Sequence, residues 1–583
     1  MAANDETVTD AGRGLRLALF AIFAVSGFAG LIYEAVWGRY LRLFLGHSAY
    51  AQTFVIAIFM GGMALGSWYS SSRSKNWSSL LKGYAYTEIA IGLFALVFQG
   101  LFETSLEFAY ETAMPAIGSA LGVELFKQCL ALALILPPSV LLGMTFPLMS
   151  GGVIRLFPNL SGSSLSFLYF TNSIGAAAGV MITGFVLVDL LGLPGTVLLA
   201  GLLNIVVGLF VWLLSRTVDE TPLPETPLID HPTEDTPEPI SPKLLFTVAA
   251  LTGFASFLYE IGWIRMLSMV LGSSSHAFEI MLGTFIAGLA FGGLWIKGRI
   301  DTLTSPVRYL AVLQWVMGIL ALATLFLYDQ SFDLMTGLMK GVARTDEGYF
   351  VFNLGSNLIA IAIMFPAAFC AGTTLPLITF TLLRQGYGEK GIGAVYAANT
   401  VGGIAGVFGA THIGLPFLGL QGLVTLGAFV DIALGVALFG VLAGSFTHRK
   451  TVTAAVVGLA LLVATSFAVE FDPLKMASGV YRTNKIMTSD RYTSLFHGDG
   501  KTASIDVLGE SGGSKIIATN GKPDASINFD PEKSPTPDES TQSMLAAIPL
   551  AANPNARTAA VIGLGSGMTS SVLLCSDALE RLD

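Results

Sequence analysis

The chain has 583 residues, of which 53% are hydrophobic and only 12% are charged, and its mean hydropathy is +0.68. Soluble globular proteins carry about 25% charged residues, so this composition excludes an ordinary soluble enzyme and indicates that lipid is the main solvent. The net charge is -9, no basic cluster suggests a nucleic-acid partner, and the three cysteines lie too far apart for a metal site or a disulfide framework.

Six predicted membrane spans make up the first part of the chain, because a spanning helix needs about 20 mostly apolar residues. They cover 15–37, 49–69, 84–101, 126–148, 165–187 and 194–214. The next segment, 215–242, is dense in Pro, Thr, Asp and Glu and is predicted to be a disordered linker. The first six-helix domain is therefore placed at 1–214.

Six further predicted spans follow the linker and define a second six-helix domain at 243–445. They cover 244–264, 277–296, 309–328, 354–380, 391–416 and 418–440. A thirteenth apolar run at 451–469 lies in the segment 446–476 and precedes a polar tail.

The two sets of six spans are predicted to be copies of one another. Gly27, Tyr33, Glu34, Trp37 and Arg39 recur in the same order as Gly253, Tyr259, Glu260, Trp263 and Arg265, at an offset of 226. Because each copy has an even number of spans, both copies have the same orientation in the membrane. Parallel halves of this kind are related by an axis along the membrane normal, as in major facilitator transporters.

Two acidic residues at equivalent repeat positions are the first candidates for a site in the membrane. Charged residues inside spans are costly and mark a substrate or ion pathway by default. Glu34 and Glu260 could therefore hold a cationic substrate or carry protons. The alternative is a structural pairing with Arg39 and Arg265, which follow five residues later near the outer interface.

Glu88 and Asp431 are two further acids inside predicted spans. Their counterparts in the other copy are Gln314 and Asn204, so these positions are asymmetric. Asymmetry slightly favours a substrate or proton site, and a satisfied polar contact between helices is an equal alternative.

The orientation of the chain is predicted from the Lys and Arg residues of short loops, which are more frequent on the cytoplasmic side. With the N-terminus inside, fifteen of them lie on the inner side and six on the outer side. We therefore expect a multi-pass protein of the cell (inner) membrane with a cytoplasmic N-terminus. If the run at 451–469 also crosses, the tail faces away from the cytoplasm, and the basic residues before this run and the acidic ones after it favour that crossing.

The polar tail is predicted to begin with a small β-module at 477–535. Short strands are expected at 505–508 and 515–519, and Asn520-Gly521 is a strong turn signal between strands. The predicted fold class is thus a multi-pass α-helical membrane protein with two parallel six-helix repeats and a thirteenth apolar segment, followed by this module and by the start of an α/β Rossmann-like domain at 536–583.

A glycine-rich loop carries the Rossmann-like prediction. A buried strand predicted at 558–562 leads into Gly563, Gly565 and Gly567, and a helix is predicted at 568–575. Glycines at such a place let a cofactor approach the backbone closely, and the following helix offers free N–H groups. A tight strand-to-helix turn without a ligand is the alternative.

The tail resembles spermidine synthases, the polyamine aminopropyltransferases, at Asn520-Gly521, Asp538-Glu539, Pro549-Leu550 and the loop from Val561 to Gly567. More closely, the chain looks like membrane-fused spermidine synthase-like proteins, in which a transporter-like region precedes such a domain. The resemblance implies decarboxylated S-adenosylmethionine, or a related nucleoside, as cofactor, and no metal. The residues that it places at this cofactor are Gly563, Gly565, Gly567, Gln542 and Asn520.

Two departures from that family bear on its activity. The family follows its Asp-Glu pair with a Tyr-His-Glu segment at the active site, whereas Ser540-Thr541-Gln542-Ser543 stand here. The acid expected on the cofactor ribose, about 20 residues past the glycines, would fall beyond Asp583. The chain is therefore expected to be a fragment, a split gene or a frameshifted product that lacks the catalytic half, and no catalytic residue is assigned.

Two functions follow from these observations. The first is aminopropyl transfer from decarboxylated S-adenosylmethionine, or a related group transfer, with this chain alone inactive. The alternative is a major-facilitator-like transporter of a small, cationic solute whose nucleotide-binding tail is vestigial or sensory. The partners expected are the lipid bilayer and a small-molecule substrate, with a polyamine as one candidate, and no nucleic acid.

Overall fold

The computed structural model describes residues 10–46, 49–221, 240–343, 345–530 and 532–583. Most of the predicted linker, at 222–239, lies outside the described residues. Within the described ranges, eleven helical runs are long and apolar enough to cross a membrane. The chain is therefore a multi-pass helical membrane protein.

Twelve long helices are arranged as six before and six after the gap at 222–239. Those of the first half are α1 Asp10–Leu45, α2 Ala49–Ser72, α3 Leu80–Phe108, α4 Ala120–Leu156, α5 Ser161–Ile182 and α6 Val188–Leu214. Those of the second half are α7 Pro242–Leu271, α8 Ser275–Lys297, α9 Pro306–Gly341, α10 Asp346–Arg384, α11 Lys390–Gly409 and α12 Leu415–Leu442. Each predicted span overlaps one of these helices.

Two of the eleven runs hold two helices each, α5 with α6 and α11 with α12. Gly192 and Gly419 interrupt them with φ of 65°, a backbone conformation that glycine adopts without steric cost. At about 1.5 Å per residue, an unbroken run of 57 residues would be more than twice as long as the ~30 Å hydrocarbon core is thick. A reversal of the chain direction at these glycines lets each of the two runs cross the hydrocarbon core twice.

Contacts at the helix ends show the reversal in the first half. α5 begins beside the start of α1, where Arg16 Nη2 donates to Ser163 Oγ at 3.0 Å. Just beyond α6, Glu220 Oε2 accepts from the backbone N–H of Leu80 at the start of α3, at 2.7 Å. The starts of α1, α3 and α5 and the end of α6 therefore share one end of the bundle, which we call the N-side.

Glycines bring helices together at matching places in the two halves. A Cβ on Gly27 would lie 2.2 Å from the carbonyl oxygen of Asn172, and one on Gly253 would lie 2.1 Å from that of Asn399. Such close backbone approach is the usual role of small residues between membrane helices. Four further matched pairs contact equivalent helices: Gly62 and Gly288, Gly66 and Gly292, Gly175 and Gly402, Gly208 and Gly435.

A further helix, α13 Arg449–Ala468, runs along the outside of the second half. The indole Nε1 of Trp315 in α9 donates to Ala454 O at 3.1 Å, near the beginning of α13. The side chain of Gln421 near the start of α12 donates to Val469 O at 2.9 Å, just past the end of α13. Since α12 begins at the end opposite the N-side, α13 traverses the whole bundle.

A four-stranded antiparallel sheet lies at that opposite end, which we call the sheet side. Its strands are β1 Tyr492–Asp499, β2 Ser504–Glu510, β3 Ser514–Thr519 and β4 Lys522–Asn528, in spatial order β1-β2-β3-β4. Asn520 and Gly521 form the tight turn between β3 and β4 with φ of 47° and 74°. The sheet packs on short helical turns through a small core of Leu474, Ala477 and Leu508.

The end of the tail forms a minimal β-α-β unit. Helix α14 Pro537–Ala552 precedes β5 Thr558–Ala559, and a short helix, α15 Met568–Leu573, connects β5 to the parallel strand β6 Arg581–Leu582. The prediction of a buried strand at 558–562 is wrong in part. The strand ends at Ala559 and Ile562 is fully exposed, because β5 pairs only with β6 and no described element covers this stretch.

Candidate functional site

A cavity of about 460 Å³ lies between the two helical halves. The first half contributes side chains from α1, α2 and α5, and the second half contributes them from α7, α8, α10 and α11. Most of the wall is apolar, with Met60, Phe257 and Phe285 among its members. A mostly apolar cavity with a few convergent polar groups is the usual form of a small-molecule site.

Glu34 of α1 and Glu260 of α7 both line this cavity. Each is partly exposed. Within the described ranges, neither carboxylate takes part in a hydrogen bond or an ion pair. An unpaired carboxylate that is withdrawn from water is energetically unfavourable. Two such carboxylates that face the same cavity can therefore bind a cation or a proton, which neutralises their charge.

Amide and hydroxyl groups of both halves stand beside these carboxylates. Asn172 and Asn399 occupy equivalent positions on α5 and α11 and both line the cavity. Tyr169 is also a lining residue, and its ring lies against that of Tyr396 with 6.4 Å between centroids. These groups can donate to or accept from a polar ligand that spans the two halves.

The N-side of the bundle is closed by contacts between the halves. Arg155 at the end of α4 is buried and bonds Glu389 through two nitrogens, Nε to Oε1 at 2.5 Å and Nη2 to Oε2 at 2.8 Å. Asp301 between α8 and α9 accepts from the backbone N–H groups of Gly162 and Ser163 at 3.0 and 2.9 Å. Charge-assisted and bidentate bonds of this type are the strong ones.

On the sheet side, an ion pair joins the halves. Arg39 does not pair with Glu34; instead its Nη2 lies 2.7 Å from Glu279 Oε1 of α8, in the other half. The second oxygen of Glu279 lies 3.4 Å from Nδ1 of His276. This cluster joins the halves beside the cavity.

Arg265, which the sequence comparison of the two halves matches with Arg39, contacts the sheet instead of a carboxylate. Its guanidinium donates to the carbonyl oxygens of Gly500 and Lys501 at 3.2 and 3.3 Å. These residues form the β1–β2 loop, 500–503, and Lys501 and Thr502 of that loop line the cavity. Asp499 Oδ2 also accepts from the backbone N–H of Leu420 at 3.0 Å. The loop therefore covers the cavity on the sheet side.

Glu88 and Asp431 lie outside the cavity lining and are fully buried between helices. Glu88 accepts from Ser26 Oγ at 2.5 Å and from Asn204 Nδ2 at 2.8 Å. Asp431 accepts from the hydroxyl of Tyr259 at 2.6 Å. Both acids make the polar contact between helices that was the alternative to a substrate site.

The glycine loop and Gln542 lie next to each other in the tail. Gly563, Gly565 and Gly567 all have positive φ, of 98°, 55° and 80°. Gln542 of α14 accepts from the hydroxyl of Ser566 at 2.5 Å through its side chain. The turn is thus held against α14, and the unpartnered amide nitrogen of Gln542 is buried there.

Asn520 has a local partner in the sheet. Its Oδ1 accepts from the backbone N–H of Ser504 at 2.9 Å, and its own N–H donates to Ser504 O at 2.9 Å. These bonds hold the β3–β4 turn against β2.

Three residues of the cavity region were missed by the sequence analysis. Glu279 corresponds to Thr53 in the other half, so comparison of the repeats gives no hint of an acid there. Lys501 and Thr502 come from a polar loop far along the chain, and no local pattern indicates that they reach a membrane cavity.

No family model matches the chain. Polyamine aminopropyltransferase 1 of Ralstonia nicotianae is 32% identical over 216 residues, which are 36% of this chain and 37% of that protein. Polyamine aminopropyltransferase 2 of the same organism is 32% identical over 206 residues, 35% and 36% of the two chains. The chain thus spans about a third of the length of the curated relatives it matches.

The similar solved structures are membrane transporters. A bacterial homologue of the iron transporter ferroportin, in an outward-facing state, has a TM-score of 0.47 and 13% identity, and the match covers 74% of this chain and 99% of that one. A nucleoside transporter has a TM-score of 0.39 and 13% identity, with 73% and 99% covered.

Proposed function

We propose that the helical part of this chain is a major-facilitator-like transporter of a small solute, which binds in the cavity between its two six-helix halves. One observation carries the proposal: Glu34 and Glu260, at equivalent repeat positions, face the same cavity without a partner in the described chain. The matched glycine contacts in both halves support the repeat on which this interpretation depends.

The chemistry of the cavity favours a cationic solute. Ionised carboxylates that are withdrawn from water need a counter-charge, since burying an unpaired charge is costly. The basic residues of the site are already engaged. Arg39 pairs with Glu279, and Arg265 bonds the β1–β2 loop. Lys501, which also lines the cavity, interacts with another residue. A small organic cation, polyamines included, would supply the missing charge while its carbon chain contacts the apolar wall.

The two ends of the cavity suggest how access could alternate. The N-side is held by Arg155 with Glu389 and by Asp301 at the start of α5. Among the described residues, the sheet side has one ion pair between the halves and a loop over the cavity. Rocking of one half against the other would break one set of contacts while the other set holds, as in transporters built from paired repeats.

The test is transport into proteoliposomes of labelled small cations, with putrescine and spermidine in the panel. Glu34→Gln and Glu260→Gln keep the shape of each side chain but remove its charge, and each should reduce uptake of the transported cation at least tenfold. Glu107→Gln, at an exposed site on α3, is the matched control and should leave uptake unchanged. Folded yield of each variant separates loss of transport from loss of structure, and full transport by both cavity variants would refute the proposal.

A second candidate is aminopropyl transfer that uses this tail. The observation in its favour is the glycine loop inside a β-α-β unit, pinned to α14 by Gln542, together with the similarity to the two aminopropyltransferases. Decarboxylated S-adenosylmethionine would be the group donor.

Cofactor binding tests this candidate without requiring turnover. Calorimetric titration of the purified chain with decarboxylated S-adenosylmethionine should give heat of binding, and Gly565→Val should abolish it because a branched side chain at φ of 55° is strained and fills the loop. Gly512→Ala, where a Cβ meets nothing within 4 Å, is the control. Absence of binding to the unaltered chain would remove this candidate.

A further inference from the structure

A second large groove lies on the outer surface of the bundle, away from the central cavity. It has a volume of about 880 Å³ and is formed by the first turns of α9, the end of α12 and the start of α13. These elements meet at the N-side, since α9 and α13 begin there and α12 ends there. The groove therefore lies at the level where the membrane meets water.

The polar part of the groove is strongly basic. Arg308, Arg449 and Lys450 line it together with His448, and it has no acidic lining residue. All three basic side chains are exposed, and none of them makes an ion pair with any described residue. α9 and α13 also present their N-termini here, which carry partial positive charge.

A buried hydroxyl adds a specific hydrogen-bonding group. Thr451 lines the groove and is only 2% exposed, and its Oγ1 has no hydrogen-bond partner in the described chain. A buried polar group without a partner is uncommon. An acceptor oxygen that enters the groove would satisfy this hydroxyl.

Apart from Thr453, the remaining wall of the groove is apolar and faces the surrounding lipid. Val312 and Val457, on α9 and α13, are exposed by 44% and 40%. Trp315 fixes the two helices to each other through its bond to Ala454 O. The groove thus offers positive charge and a hydroxyl at the interface, and an apolar channel that continues along the helices toward the membrane centre.

We propose that this groove binds an anionic phospholipid, with the phosphate against Arg308, Arg449, Lys450 and Thr451 and an acyl chain between α9 and α13. Basic pockets between membrane helices are suited to anionic lipid head groups. The apolar channel distinguishes a lipid from a free phosphate ion, which would gain nothing from it. This inference does not depend on what the central cavity transports.

Native mass spectrometry of the full chain in neutral detergent tests the proposal, with cardiolipin, phosphatidylglycerol, phosphatidylcholine and inorganic phosphate as probes. Cardiolipin or phosphatidylglycerol should bind, and phosphatidylcholine and phosphate should not. At about 1 kcal/mol per basic residue near an anionic head group, Arg449→Gln combined with Lys450→Gln should weaken binding about 30-fold. Thr451→Val should weaken it further without changing the shape of the groove.

Lys82→Gln combined with Lys390→Gln is the matched control, because both lysines are exposed at the starts of N-side helices outside the groove. This pair should bind anionic lipid as the unaltered chain does. Equal loss in the control pair would mean diffuse attraction to charge and would overturn the proposal. Equal binding of phosphatidylcholine, or saturable binding of phosphate that competes with the lipid, would overturn it as well.

Discussion

At the scale of single residues, the ion pair between Arg39 and Glu279 joins the two halves on the sheet side. The side chain of Glu279 is only 6% exposed and that of Arg39 is 24% exposed, with 2.7 Å between Nη2 and Oε1. A charge-assisted bond in such a place is worth more than a surface ion pair. The pair should therefore show a measurable coupling.

We expect Arg39→Gln and Glu279→Gln to be non-additive in a double-mutant cycle. The coupling in the free energy of unfolding should be about 1.5–3 kcal/mol, the range for hydrogen bonds to charged groups. Unfolding in mixed micelles, measured for the unaltered chain, both single variants and the double variant, gives this number. Strictly additive effects would mean that the two side chains do not stabilise each other.

His497 of β1 should make the stability of the tail depend on pH. Its Nδ1 donates to Asp506 Oδ1 at 2.7 Å, and its Nε2 lies 3.7 Å from Asp499 Oδ1. The hydrogen bond to Asp506 raises the pKa of His497, and the charges of both aspartates add to this effect. The folded sheet therefore binds the imidazole proton more tightly than the unfolded chain does.

The stabilisation from His497 should be complete below the unfolded pKa of about 6.5 and should disappear as pH rises through the higher folded pKa. Limited proteolysis of the tail should thus become faster as pH rises above about 6.5. His497→Asn should remove that dependence, whereas His448→Asn, at the N-cap of α13, should keep it. An unchanged pH profile in His497→Asn would assign the effect to another group.

The four intramembrane acids show which features of the candidate site the sequence could predict and which it could not. Repeat comparison identified Glu34 and Glu260 as equivalent, and both line one cavity. The asymmetry of Glu88 and Asp431 slightly favoured a site, yet each is held in a contact between helices. A hydrogen bond between residues 116 or 172 positions apart leaves no local pattern, so composition and spacing cannot distinguish a satisfied acid from a free one.

At the scale of elements, the helices were predictable because a long apolar run in lipid has only one way to satisfy its backbone. The packing between the two halves could not be predicted, because it depends on which helix faces contact each other. The strand prediction at 558–562 failed beyond Ala559 for a similar reason. An apolar sequence predicts a buried strand only if neighbouring strands exist to cover it, and β5 has β6 alone.

The β1–β2 loop is expected to restrict access to the cavity from the sheet side. Lys501→Gly combined with Thr502→Gly removes the two side chains that line the cavity, and the cavity should become more accessible from the sheet side. A cysteine in place of Ile56, also a lining residue, should then react several-fold faster with a membrane-impermeant maleimide. The natural Cys129, Cys370 and Cys575 are replaced by serine for this measurement.

Glu532→Gly combined with Lys533→Gly is the control for the loop, because these residues lie before α14 and do not line the cavity. It should leave the labelling rate of the cysteine at 56 unchanged. If the loop variant also labels at the original rate, the loop does not restrict entry to the cavity.

At the scale of the whole molecule, α13 decides on which side of the membrane the tail lies. Its contacts with Trp315 at one end and Gln421 at the other carry the chain from the N-side to the sheet side. The start of α1 and the four-stranded sheet consequently occupy opposite ends of the bundle. This geometry agrees with an odd number of membrane crossings between the start of α1 and the sheet.

We therefore expect the two chain ends to be accessible from opposite sides of the membrane, with the N-terminus cytoplasmic and the tail outside. Fifteen basic residues against six in the short loops favour that orientation. Reporter pairs that are active on only one side, fused before Met1 or after Asp583, should give opposite signals, and a protease added to sealed right-side-out vesicles should cut the sheet. Equal signals from both ends would mean that α13 does not cross. With the tail outside, the β1–β2 loop would cover the cavity from the exterior. The glycine loop would then meet only nucleosides that are present outside the cell. A cytoplasmic tail would instead favour aminopropyl transfer over transport as the function of this chain.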